Sequence, residues 1–225
     1  VMSDSSIRRE NGNGRAAGSQ YSVEVVSPIC QYSDIETIQE IVRKLRAAGA
    51  KVNSSCGIHV HVDASNHTPK TLRNIVNIMA SKEDLLYKAL QVRISREHYC
   101  QKADTRFLDD LNQRKPATMR EVERLWYNGY GGRQYHYDDS RYHGLNLHSV
   151  FSKGTIEFRM FNSTSMPARS NHISSSVSPS AIRLLCRKAR PAPKRILKMR
   201  NIPSAPGCCG WGSSGTSSKQ PASIC

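Results

Sequence analysis

Nowhere does this 225-residue chain carry a run of about 18 apolar residues, which argues against a membrane-spanning helix. Nor is there a short apolar core of the secretory type, so a cytoplasmic location is expected. Aromatics make up 7% and hydrophobic residues 38%, which is little for a chain of this length to bury. None of the seven cysteines pairs as C-x-x-C, so neither a zinc site nor a disulfide framework is signalled, and a reduced protein is the simpler reading. The most local absence is of acid. Ser165–Cys225 holds 10 Lys and Arg and 13 serines, with no Asp, Glu, Phe or Tyr. The net charge of +15 is therefore uneven, and residues 1–164 contribute only +5 of it.

That break divides the chain into a patterned domain over 1–164 and a basic Ser/Pro-rich tail over 165–225. Two readings of the tail stay open. A disordered basic segment would suit nucleic acid or an anionic surface. A single base lost just after the Thr164 codon would instead turn an ordinary helical continuation into such a tail, because shifting the frame back allows acids and aromatics to return. The second reading is preferred, so 165–225 is expected to be frameshifted and unstructured, and nucleic acid is not the expected partner. At the other end, Val1 opens on what reads as ordinary domain sequence, so the chain is expected to be a fragment.

Within 1–164 the patterning is clear. YSVEVVSPI, Tyr21–Ile29, reads as a short strand that sets Val23 and Val25 on one face and Ser22, Glu24 and Val26 on the other. Ser33 and Glu36 suggest a capping box ahead of Ile35, Ile38, Ile41, Val42 and Leu45 at helical spacing, with Gly49 as the stop. A second helix should begin at Thr68-Pro69 and bury Leu72, Ile75, Val76 and Met79, and Ser81 with Asp84 would cap a continuation through Leu90. Ser95–Lys115 is polar without a clear period. Thr118 and Glu121 cap a short helix, and the ring-rich Tyr127–Ser149 is too long for a plain connector, a common place for function.

Two stretches carry chemistry. In CGIHVHVD, Cys56–Asp63, strict alternation predicts a half-buried strand with Ile58, Val60 and Val62 on one side and His59, His61 and Asp63 on the other. In GTIEFRMF, Gly154–Phe161, Ile156, Phe158 and Met160 face a core, and Thr155, Glu157, Arg159 and Phe161 line the opposite face. Surface histidines and an exposed Glu157–Arg159 pair are the bland explanations. If these strands adjoin that of Glu24, however, two carboxylates and two imidazoles converge, a donor set for a hard cation such as Mg2+ or Mn2+. Arginine beside them cannot be a ligand and suits phosphate or carboxylate.

GIHVHVD, followed by RYHGLNLHSVFSKGTIEFRMFNST, resembles the amidoligase family, part of the glutamine synthetase and glutamate–cysteine ligase superfamily of ATP-dependent carboxylate–amine ligases. The resemblance covers about Met2–Thr164. It implies an α+β fold, a mostly antiparallel sheet with helices on one face and the motif residues on the other. It also implies ATP and Mg2+ or Mn2+ as cofactors, and a small-molecule or peptide carboxylate joined to an amine through an acyl-phosphate. By motif, Glu24, His59 and Glu157 would bind metal, and His61 and Arg159 would act on the phosphoryl group. Arg141, Tyr142 and Asn146 would line the nucleotide or substrate site. The relatives' upstream E-x-E strand has no counterpart before Glu24, which implies an incomplete metal cluster and impaired activity. A metal-dependent hydrolase or nuclease using the His pair is the alternative within enzymes, and a nucleic-acid-binding protein is the alternative outside them.

Overall fold

The computed structural model describes residues 7–11, 13–164 and 223–224. The elements run α1 (Ile35–Ala47), β1 (Lys51–Val52), β2 (Gly57–Asp63), α2 (Pro69–Ala89), α3 (Ile94–Glu97), α4 (Thr105–Arg114), α5 (Met119–Trp126), β3 (Leu145–Asn146), α6 (His148–Lys153), β4 (Thr155–Asn162) and β5 (Ser223–Ile224). Helices and an antiparallel sheet are thus mixed. The expected frameshifted tail lies outside the described residues, apart from β5, which pairs in parallel with β1.

Helix boundaries follow local chemistry. Thr68 caps α2 reciprocally with Thr71, and Pro69 sits in the first turn, where its missing N–H costs nothing. Thr118 and Glu121 form the expected box on α5. At α1 the expected box is absent. A short 3-10 turn over Tyr32–Asp34 moves the start to Ile35, and the Asp34 carboxylate turns back to accept from the Gln31 N–H instead. Gly49, at φ +87°, ends that helix in the left-handed conformation that glycine adopts without strain.

Two expectations about helices are corrected. Ser81 and Asp84 do not start a new helix, because α2 runs unbroken for 21 residues and the Ser81 hydroxyl donates back to the Ile78 carbonyl. Its buried stripe continues through Glu83 and Tyr87 rather than Leu85, which is exposed. The polar stretch Ser95–Lys115 also folds, into α3 and α4. An i, i+4 apolar pair, Phe107 and Leu111, with the partly buried Leu108 beside it, anchors α4 on the core.

The central sheet has three strands in the order β2-β4-β3, all antiparallel. Val60, Val62, Ile156 and Phe158 meet Leu72, Ile75, Val76 and Met79 of α2 in the main core. The half-buried expectation for β2 fails, since Gly57 through Val62 are buried whichever way they point. Both faces are covered because the segment preceding β4 folds back over the histidine side, placing Arg141, Asn146 and His148 there, all buried. The Tyr21–Ile29 segment is corrected too. It contains one isolated bridge residue, Glu24, and joins no strand of the three-stranded sheet.

Burial of acid extends to α2. Glu83 is 4% exposed, and both its oxygens accept from the Ala103 N–H, at 3.1 and 2.9 Å. Burial raises its pKa against the pull of that bond and of Lys102. An acid with a raised folded-state pKa loses stability as pH rises past its ordinary value. Glu83→Gln keeps an acceptor for Ala103 and removes the charge. It should therefore raise the melting temperature at pH 7 and leave it unchanged near pH 4, where the wild-type carboxyl is protonated; thermal denaturation at the two pH values checks this.

Candidate active site

Glu157 lies at the middle of β4, opposite His61 of β2 on one side and Asn146 of β3 on the other. Its two oxygens do different work. Oε1 accepts from Arg159 Nη1 at 2.9 Å and lies 3.1 Å from His59 Nδ1 and 3.5 Å from His61 Nε2. Oε2 accepts from Asn146 Nδ2 at 2.6 Å and from the Ser149 hydroxyl at 3.3 Å. With Glu157 only 2% exposed, burial pushes its pKa up, yet the Arg159 charge and the two imidazoles outweigh that and hold it well below the ordinary carboxylate range.

Each partner is itself held. His61 Nδ1 meets the Thr155 hydroxyl at 2.9 Å, which fixes the ring so that Nε2 faces Glu157. Asn146 Oδ1 accepts from the His148 backbone N–H at 2.8 Å. Arg159 Nε donates to the Tyr99 carbonyl at 3.2 Å, and its guanidinium lies 5.8 Å from the Tyr142 ring centroid. Tyr142 has Arg141 5.7 Å from the same ring, so one aromatic links the two arginines.

The direction of Arg159 depends on a β-bulge. Val60 pairs with Phe158, but Ile58 pairs with Phe161, so Arg159 and Met160 together oppose His59. This corrects the alternation read from the sequence. Beyond the bulge the parity flips, and Phe161 joins the core with Ile58 instead of sharing the Glu157 face. Arg96, unremarked in the sequence and 2% exposed, clamps the bulge by donating to the Arg159 carbonyl at 3.0 Å and to the Phe161 carbonyl. The one local signal for it was Gly57, where a Cβ would overlap the Arg96 guanidinium.

Of the residues expected to bind metal, the sheet brings His59 and Glu157 together, whereas Glu24, though buried, lies outside it. Among the described residues no group of three or more His, Cys, Asp and Glu is arranged to hold a metal ion. The His59–Glu157 pair fits one edge of such a site. His59 Nδ1 is buried without an aligned hydrogen bond, and burial together with the Arg159 charge pushes its pKa well below the usual imidazole value. A neutral imidazole nitrogen facing a carboxylate oxygen at 3.1 Å is comfortable only with a proton or a cation between them.

Arg141, Asn146 and Glu157 also border a pocket of about 210 Å3, with Arg133, His148 and Lys153 among its other lining residues. Sequence reasoning named the first three and missed the last three. His148 is 5% exposed and its Nδ1 lies 2.7 Å from the Tyr127 hydroxyl. Burial raises the Tyr127 pKa and lowers that of His148, so a neutral phenol meets a neutral imidazole. Tyr142 supports the arginines through its ring and does not border the pocket.

Two outcomes follow. Gly57→Ala should displace Arg96 from its two carbonyls and cost about 2–4 kcal/mol in urea unfolding. Glu157→Gln leaves the buried Arg159 charge uncompensated and should cost about 3–5 kcal/mol at pH 7. Because the Glu157 pKa is depressed, its contribution is complete above the ordinary value of 4.5 and is lost as pH falls through the folded-state value. Wild-type and Glu157→Gln stabilities should therefore converge on acidification below pH 4.5.

No curated protein and no solved structure gives a significant match to this chain. A family model described as "Putative amidoligase enzyme" matches residues 1–171, a span that includes both the histidine strand and the Glu157–Arg159 strand and ends close to the change in composition at Ser165. The chain belongs to the amidoligase family.

Proposed function

We propose that this protein is an ATP-dependent carboxylate–amine ligase that forms an amide through an acyl-phosphate, on a glutamine synthetase-like sheet. The observation that carries the reading is the buried carboxylate of Glu157, shared on one oxygen by His59, His61 and Arg159. Glu157 and His59 would hold one edge of a Mg2+ or Mn2+ site, whose ion when bound would neutralise charge on the nucleotide phosphates. Membership of the amidoligase family supports the bond type.

On this reading the chain's own residues act by holding charge in place. Arg159 is fixed by Glu157, the Tyr99 carbonyl and the Tyr142 ring, and its remaining N–H groups are donors for a phosphoryl oxygen as it passes to the substrate carboxylate. His61, fixed by Thr155, supplies a second directed donor beside it. Such preset donors need no reorganisation as charge develops, which is where the rate gain lies. Arg141 and Asn146, with Tyr142 behind the arginines, would position the nucleotide or the acid.

Phosphate release from ATP should require an added carboxylate and amine together, and should rise with Mg2+. Arg159→Lys keeps the buried charge beside Glu157 but loses the planar fork, so it should lower kcat by about 100-fold or more while the fold persists. Glu157→Gln should abolish turnover. Release of phosphate at the same rate without any amine, or unchanged turnover in both variants, would sink the proposal.

A further inference from the structure

A second cavity, of about 550 Å3, shares no lining residue with the pocket beside Glu157, and the chemistry proposed above does not use it. Its wall is aromatic. Trp126 of α5 meets Phe107 of α4 edge-to-face, with ring centroids 5.0 Å apart, and His143 at 5.4 Å. The Trp126 indole N–H donates to the Ser140 hydroxyl at 2.9 Å, which fixes the ring. Two exposed acids share the lining, Asp104 at the start of α4 and Asp139 in the short turn Asp139–Arg141.

Donors along this wall are spent internally. Lys102 Nζ donates to Asp84 Oδ1 at 2.6 Å, and the Ala103 N–H goes to Glu83. The N-terminal end of α4 is met by Asp104 itself, whose Oδ1 accepts from the Arg106 N–H at 2.8 Å. Asp84, with smaller pulls from Glu83 and Glu97, raises the Lys102 pKa, so the one lysine of the lining sits in an acidic field. His143 Nδ1 lies 2.8 Å from the Ser140 carbonyl, which can only accept. Nδ1 therefore carries the proton, and in the neutral ring Nε2 is an acceptor. What the lining offers a ligand is ring surface and acceptors, inside a chain of net charge +15.

We infer that this cavity binds an organic ammonium group on an apolar body, its N–H donors met by Asp104 and Asp139 and its body packed on Trp126, Phe107 and His143. Carboxylates beside aromatic faces attract a cation through both charge and ring quadrupole. The volume falls within the roughly 300–1,000 Å3 of cavities that enclose small organic ligands. The site rests on its lining alone; that its ligand is of the same class as the amine substrate rests on the amide-forming reading.

Phenethylamine and 3-phenylpropionate carry opposite charges on the same phenylethyl body and serve as the two probes. Trp126 is one of two tryptophans, so in a Trp211→Phe background its fluorescence reports binding to the full 225-residue chain, with calorimetry giving Kd. Phenethylamine should bind and shift that fluorescence, and 3-phenylpropionate should bind at least about tenfold more weakly. Asp139→Asn, and Asp104→Asn, which keeps a capping acceptor for α4, should each weaken phenethylamine by about three- to tenfold. Lys102→Gln releases Asp84 and should tighten it by about threefold. All three residues are exposed, and circular dichroism verifies that the fold is kept. No phenethylamine binding, equal or tighter binding of 3-phenylpropionate, or a Kd unmoved by all three substitutions overturns the inference. Ammonium binding that depends on Asp104 and Asp139 without amine-dependent phosphate release would leave the cavity's role standing and remove the ligase reading. Amine-dependent phosphate release with no phenethylamine bound at Trp126 would do the reverse.

Discussion

A carboxylate at the centre of a sheet buried on both faces is the constraint on which the rest of this structure depends. Ionised and 2% exposed, Glu157 is costly unless each oxygen finds compensation. It finds five partners, His59 and His61 from β2, Arg159 from its own strand, Asn146 from β3 and Ser149 from α6. Four elements, β2, β3, α6 and β4, are thereby tied to a single side chain. The sheet order β2-β4-β3 is what lets a central strand collect partners from both neighbours.

Arg159 shows how backbone geometry becomes chemistry. On a regular strand, residues 157 and 159 share a face and residue 161 follows them. The bulge opposite His59 breaks that rule, sends Phe161 into the core and leaves Arg159 beside Glu157. A bulge exposes carbonyls that the ladder no longer pairs, and here the buried Arg96 takes two of them. Gly57 exists at its position because that guanidinium occupies the space a side chain would need. A structural arginine thus fixes the geometry of the arginine assigned to the phosphoryl group, without touching it through its own charge pair.

The two oxygens of Glu157 divide the site. Oε1 faces a closed cluster of imidazoles and guanidinium, and Oε2 faces amide and hydroxyl groups that border an open, cationic pocket. On the proposed ligase reading the two halves would serve different ends, a closed place where charge develops and an open, basic place where anions enter. Tyr142, in contact with Arg141 and Arg159, is the physical link between the halves.

Much of this was legible from local patterns, because local patterns are short-range physics. Capping at Thr68 and Thr118, the stop at Gly49 and the apolar faces of α2 and β2 all follow from spacing along the chain. Residues 94–114 were opaque because three apolar residues, Phe107, Leu108 and Leu111, anchor a helix that is otherwise polar. Arg96, Arg133, His148 and Lys153 were opaque for a different reason. A lone polar residue carries no period, and what it does depends on which distant backbone or side chain it meets. The sequence by itself determined the two strands, their polar faces and the helices that cover them. Only the tertiary structure decided that both faces are buried, that a bulge redirects Arg159 and that Glu24 lies outside the sheet, because those outcomes turn on strand register and long-range packing, which no local spacing encodes.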